Sequence, residues 1–140
     1  MAKVTGLAAV VTIDDAAGAA RIISNDITNF DFASPVAVEE TTGVDKSFTE
    51  RLLLLGDASA TFEGIPNFGA VPSATSHGVF ASVTSTRVSR TVALTPSGGA
   101  SAVWTCEMLL TDYQIKRSNA GELTFSVPAV LADGNAPVWT

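Results

Sequence analysis

Residues 39–64 read EETTGVDKSFTERLLLLGDASATFEG, and the fold turns on how the adjacent Leu52, Leu53, Leu54 and Leu55 are placed. Four consecutive leucines suit neither regular period: in a strand they point to both faces, and in a helix they cover most of the circumference. A small antiparallel sheet usually has one core face and one wet face, so this run needs cover on more than one side. Another copy of the same chain is the expected cover. After Gly56-Asp57, residues 58–63 alternate cleanly, with Phe62 on one face and Glu63 on the other, and Gly64 ends a strand. Before the leucines, residues 43–49 form a polar loop. Ser47 followed three residues later by Glu50 matches a capping box, so residues 47–55 also fit one or two helical turns.

Working outward, most of the chain has the period of strands. Residues 7–13 are rich in β-branched side chains and lead through Asp14-Asp15 and Gly18 into residues 21–24, which makes a hairpin. From Ile27 the chain alternates through Phe30 and Phe32 toward Val36 and Val38. Ser34-Pro35 interrupts that run, as an edge strand, a bulge or two strands joined by a kink. Residues 65–72, with Pro66, Asn67, Gly69 and Pro72, are a loop. Residues 73–83 show no alternation and suggest a short helix packed through Ala74, His77, Phe80 and Ala81.

Residues 87–95 read as a strand, and 96–99 turn the chain back. In residues 102–116, Trp104, Cys106, Met108, Leu110 and Ile115 form the expected core face, with Val103, Thr105, Glu107, Leu109, Thr111 and Tyr113 opposite. Residues 118–121 suit a hairpin loop, with Asn119 and Gly121 at positive φ, and residues 122–130 return. About seven to nine strands with one or two short helices argue a β-sandwich or closed barrel rather than an α/β fold. At 140 residues, one domain spanning 1–140 is expected.

Composition narrows the function. Only 16% of residues are charged, which leaves a surface poor in ionic groups and suggests that part of it is interface. The net charge is −6, and the basic residues are scattered with no aromatic-studded stripe, so gripping nucleic acid through its phosphates is not expected. No stretch nears the ~20 apolar residues of a membrane helix. The run at residues 7–13 is short and lacks a cleavage site, so no signal peptide and synthesis in the cytoplasm are expected.

Catalytic and metal chemistry finds little support. One histidine, His77, and one cysteine, Cys106, cannot hold a structural zinc within a chain. Cys106 lies in an alternating strand and reads as a small buried hydrophobe, and no serine occupies a G-x-S-x-G elbow. Asp14-Asp15 and Glu39-Glu40 lack the spaced oxygen ligands of a calcium loop and read as solvated turns. Neither an enzyme nor a cofactor is expected.

The order of these segments carries a resemblance. An N-terminal hairpin, ITNFDF at residues 27–32, ERLLLLGDASATFEG at 50–64, SATSHGVF at 73–80 and LLTDYQIKRSNAGELTFSVPAVLADGNAPVW at 109–139 together resemble the tail tube, or major tail, proteins of long-tailed bacteriophages. The resemblance implies a β-sandwich or barrel with one short flanking helix and a long inter-strand loop. It further implies a structural virion protein that self-assembles into stacked rings of six. Those rings form the hollow tail tube through which viral DNA passes without specific binding, with tape measure and terminator proteins as further partners and no membrane. Carried onto this sequence, the loop that reaches neighbouring subunits is residues 39–56. Its interface candidates are Glu39, Glu40, Asp45, Lys46, Phe48, Arg51, Leu52, Leu53, Leu54 and Leu55. A ring of six chains at −6 each carries −36, and an acidic bore lets DNA slide without sticking. Asp14, Asp15, Glu63, Glu107 and Glu122 are the candidates for facing that bore. Two alternatives are a capsid decoration (cement) protein and a ligand-binding β-barrel with Trp104, Tyr113 and Phe62 lining its site.

Overall fold

Alternation of apolar and polar side chains builds nearly all of the structure. The computed structural model describes residues 3, 5–98 and 101–140. Gly99, at the end of the turn expected over residues 96–99, lies outside the described residues. The strands are β1 (Val10–Asp14), β2 (Ala20–Ile22), β3 (Ile27–Ala33), β4 (Val36–Glu40), β5 (Arg51–Gly56), β6 (Ser59–Gly64), β7 (Arg90–Thr95), β8 (Trp104–Leu110), β9 (Gln114–Arg117), β10 (Leu123–Leu131) and β11 (Val138–Trp139). Among the described residues a single α-helix, α1, spans Ser76–Phe80. In β8, Trp104, Cys106 and Met108 are buried and the residues between them are not. Val11 and Ile13 of β1, Val92 and Leu94 of β7, Ala60 and Phe62 of β6, and Phe125, Val127 and Ala129 of β10 complete that inner face.

All the pairings are antiparallel, and the main sheet runs β2-β1-β7-β8-β10-β6-β3. Strand β10 is its spine. β6 pairs along one edge of β10, while β9 and then β8 follow each other along the opposite edge. The first and last strands of this order, β2 and β3, are joined by only residues 23–26, which include the 3-10 turn Ser24–Asp26. So short a link cannot span an open sheet, and the sheet must curl until its ends meet. The core records the curl: the Phe32 ring from β3 lies 4.8 Å from that of Trp104 on β8. The result is a mainly β, barrel-like sandwich of the kind expected, with one short helix over its core.

Asp26 fastens the closure. Its carboxylate is buried, accepting from the backbone N–H of Ser76 (2.8 Å) and from Asn67 Nδ2 (3.3 Å). Its carbonyl accepts from the N–H of Ile65 at 3.1 Å. Gly64 of β6 passes so close that a Cβ there would overlap the Asp26 carbonyl oxygen.

The helix is shorter than its expected span of 73–83. Thr75 caps it, its hydroxyl accepting from Gly78 N–H at 3.0 Å, and turns follow from Ala81. Val79, Phe80 and Val83 are the residues that reach the core, whereas His77 and Ala81 sit half-buried at its flank and Ala74 is exposed. Arg90 is buried beneath, donating from Nη1 to the Val79 carbonyl (2.6 Å) and from Nη2 to Ser82 Oγ (3.1 Å). Burial lowers its pKa, opposed by the nearby charges of Asp15 and Asp14. Arg90→Met keeps the apolar stem but orphans those acceptors, so a loss of about 1.5–3 kcal/mol is expected in urea unfolding.

Three further expectations are corrected. Strand β8 stops at Leu110, and the irregular residues 111–113 shift the alternation. Tyr113 therefore turns inward onto Phe80 and Phe125, while Ile115, expected in the core, is exposed. In the β9–β10 hairpin only Gly121 takes positive φ, and Asn119 does not. Residues 51–56 are strand, not helix. The N–H of Glu50 is taken by Thr42 Oγ1 at 2.8 Å, inside a hairpin instead of a capping box.

Candidate assembly surface

The interface candidates all lie on one element. β4 and β5 form a two-stranded sheet of their own, pairing with no strand of the main sheet, and residues 41–50 connect them. This arm has local causes. Ser34-Pro35 ends β3, and the Pro35 carbonyl accepts from Asp57 N–H at 2.8 Å to close the root. At the far end Thr41 N–H donates to the Glu50 carbonyl (2.9 Å), and Lys46 lies 3.5 Å from Glu50 and 3.9 Å from Asp45.

Every residue of β4 and β5 is exposed. Val38 lies opposite Leu53 and Glu39 opposite Leu52, so the leucines occupy both faces of the arm. Leu53 is 75% exposed, Leu55 88% and, at the tip, Phe48 85%, values ordinarily seen for charged side chains. A two-stranded hairpin with no face packed is marginal in water, and an exposed, apolar, open-edged strand invites pairing with another chain. Glu39, Glu40, Asp45, Lys46, Phe48, Arg51, Leu52, Leu53, Leu54 and Leu55 are thus brought together on one projecting, solvent-exposed hairpin. The sequence reading missed Val36 and Val38, which extend the same surface, and Val44 at its tip. Their alternation with alanine and acidic residues was the available signal.

A cleft of about 300 Å³ lies at the arm's root, bounded by Val36, Leu55, Trp104, Leu131, Pro137 and Trp139. The indole N–H of Trp104 donates to Ser34 Oγ at 3.3 Å across its floor. The trio named for a ligand site is not assembled. Phe62 is fully buried, and Tyr113 belongs to a separate cluster with His77, Phe80 and Phe125, neither of them lining this cleft.

The acidic candidates separate by environment. Asp14, Glu63 and Glu107 alternate with core residues on β1, β6 and β8 and face outward. Glu63 accepts from Asn29 Nδ2 at 3.3 Å and Glu107 from Thr91 Oγ1 at 2.7 Å. A cross-strand row of small residues, Thr12, Ala93 and Thr105, runs beside Asp14 and Glu107 on the same face. Glu122 is exposed in the β9–β10 turn. Asp15 leaves the set, because its carboxylate is buried in its own turn. Oδ1 accepts from Ala17 N–H (2.9 Å) and Ala19 N–H (3.0 Å), and Oδ2 from Arg21 Nε (3.0 Å).

The hydrogen bond from Ala19 does most to hold the Asp15 carboxyl below its usual range, with Arg21 and Ala17 adding to it against the cost of burial. A depressed folded-state pKa means that Asp15 stabilises the fold fully above the ordinary carboxylate value of about 3.9 and loses this contribution as pH falls through the folded value. Asp15→Asn is therefore expected to lower stability at pH 7 and to lessen its decline on acidification. Thermal unfolding from pH 7 down to pH 3 checks this.

The remaining reactive groups are embedded in packing. His77 Nδ1 lies 3.3 Å from Tyr113 Oη, with the Phe68 ring 5.1 Å from its own. Burial pushes the Cys106 thiol up to about 11, with Asp133 and Glu107 adding to it, so thiolate is scarce at neutral pH. Among the described residues no three of His, Cys, Asp and Glu gather into a metal site, and no helix is long and apolar enough to cross a membrane.

No family model and no curated protein sequence matches the chain. Solved structures do. A chain in the tail of an empty gene transfer agent particle, refined with C6 symmetry, superposes with a TM-score of 0.72 at 16% identity over 99% of both chains. One in the virion of a native gene transfer agent particle gives 0.70 at 15%, again over 99% of both. One in the six-fold symmetrised baseplate of the anti-feeding prophage gives 0.69 at 14%, over 100% of this chain and 97% of that one. At such identities what is shared is the fold.

Proposed function

We propose that this chain is a structural tail tube subunit, one domain over residues 1–140, whose copies join side by side into rings of six. The rings stack into the hollow tail of a virion, and DNA passes through the bore without being bound. The observation that carries the reading is the arm: a hairpin with leucines exposed on both faces and both edges open, on a fold shared with chains of six-fold tail and baseplate particles. Such an arm is covered by neighbouring copies. Asp14, Glu63, Glu107 and Glu122 are candidates for an acidic bore wall, where negative charge and hydroxyl-bearing neighbours repel and lubricate a polyanion. The role is structural and not enzymatic, and the tape measure and terminator proteins of the tail are its further partners.

Electron microscopy of the purified protein across a concentration series tests the reading. Rings and tubes with a central channel are the expected result. A species that stays monomeric at every concentration overturns it.

A further inference from the structure

Two strands of this chain end in open edges whose side chains complement each other. β4 pairs only with β5 and offers Ala37, Val38, Glu39 and Glu40 along its free edge. β9 pairs only with β10 and offers Gln114, Ile115, Lys116 and Arg117. All eight are exposed. Among the described residues neither Glu39 nor Glu40 lies within ion-pair distance of a cation, and neither Lys116 nor Arg117 of a carboxylate. Glu40 faces Arg51 across its own hairpin without closing such a pair.

We propose that β4 of one copy adds as a parallel strand to the free edge of β9 in another copy, which rests on the tail-subunit reading and supplies its receptor surface. In this register Val38 meets Ile115, Glu39 meets Lys116 and Glu40 meets Arg117. The alternation agrees on both sides: Val38 and Glu40 share a face, as do Ile115 and Arg117, with Glu39 and Lys116 on the other. The antiparallel register that preserves both ion pairs sets Val38 against Ser118 and Ile115 against Thr41, losing the apolar match.

The fold excludes a chain's own arm as the partner. The arm leaves the sheet beside the Ala33–Ser59 pair, at one end of β6. β9 lies at the other end, where Phe125 pairs with both Gly64 and Ile115. The two ends are five residues apart along β6, roughly 17 Å at about 3.4 Å per residue. Donor and acceptor strands thus sit at opposite ends of the subunit, a placement that fits a head-to-tail arrangement repeating from copy to copy.

Charge exchange tests the pairing. Glu39→Lys with Glu40→Lys places cation on cation, as Lys116→Glu with Arg117→Glu places anion on anion. Each double variant is expected to raise the concentration needed for assembly on the order of tenfold or more. Combining all four substitutions restores opposite charges and is expected to return assembly to near wild type. Unchanged circular dichroism certifies the fold of each. As an independent measurement, Val38→Cys with Ile115→Cys, in a Cys106→Ser background, is expected to give a ladder of interchain disulfides on mild oxidation. Assembly unaffected by either charge reversal, no recovery on combining them, or no ladder overturns the pairing. If the wild-type chain still builds tubes in that case, the subunit reading stands and only this contact is wrong. A wild-type chain that never assembles overturns both.

Discussion

Leu53→Asp protein is expected to remain monomeric at concentrations where the wild-type chain is expected to form rings and tubes, while its urea midpoint stays close to wild type. Both halves follow from the arm. Leu53 is 75% exposed and contacts solvent more than protein, so its loss removes little packing from the monomer. Surface changes away from special features stay within about 0.5 kcal/mol. Once a neighbouring copy covers the arm, the same aspartate becomes a desolvated, unpaired charge at every repeat of the contact, and isolated buried charges cost several kcal/mol each. Leu54→Asp provides a companion variant for the same run of leucines. Size measurement across concentration, with microscopy, reads the outcome. Tubes retained by both variants would remove the arm from the interface.

The second large effect lies at the closure of the sheet. Gly64→Ala adds one methyl group where the Asp26 carbonyl oxygen already sits, and both atoms belong to backbone positions held by pairing. Gly64 pairs with Ile27 on one side and Phe125 on the other, so neither strand can retreat without giving up register. Overpacking of this kind costs about 1–3 kcal/mol and occasionally more, and the absence of a flexible neighbour puts Gly64→Ala at the upper end. A drop in urea midpoint equivalent to about 3 kcal/mol is expected. Gly121→Ala, strained at φ 94° but in an exposed turn where the new Cβ would make only an ordinary contact with the flexible Arg117 side chain at 3.8 Å, should cost less. Equal midpoints for Gly64→Ala and wild type would contradict the tight closure.

How far the sequence could be read follows the strength of its periods. In β8, the alternation of Trp104, Cys106 and Met108 with Thr105 and Glu107 was legible because burial on one face alone dictates it. The same holds for Phe62 and Glu63 in β6. Leu52, Leu53, Leu54 and Leu55 gave no period because they bury nothing within the chain. The run could be flagged as needing a partner, yet its conformation stayed open between helix and strand. Tyr113 and Ile115 were misplaced because an irregular break at residues 111–113 shifts the phase, and such breaks carry no compositional mark. The burial of Arg90 was invisible for a different reason. The alternation of β7 puts Arg90 on the face of Val92 and Leu94, but its charge argues for water until the carbonyl of Val79 and the hydroxyl of Ser82 are seen to meet it. Among the candidate residues, the arm was found as a segment, whereas the complementarity of β4 with β9 needed the sheet order to place the two strands at opposite ends.

The link of residues 23–26 also sets an order of events during folding. Closing the main sheet requires Thr12 to find Ala93 and Phe30 to find Phe62, contacts far apart in sequence that form slowly, in milliseconds to seconds for comparable β topologies. The arm is a local hairpin within residues 36–56, and hairpins form in about 1–10 μs. In a newly made chain this hairpin, marginal on its own, therefore forms and reopens many times before the scaffold that orients it is complete. The like charges of Glu39 and Glu40 on the free strand oppose the pairing of one such arm with another.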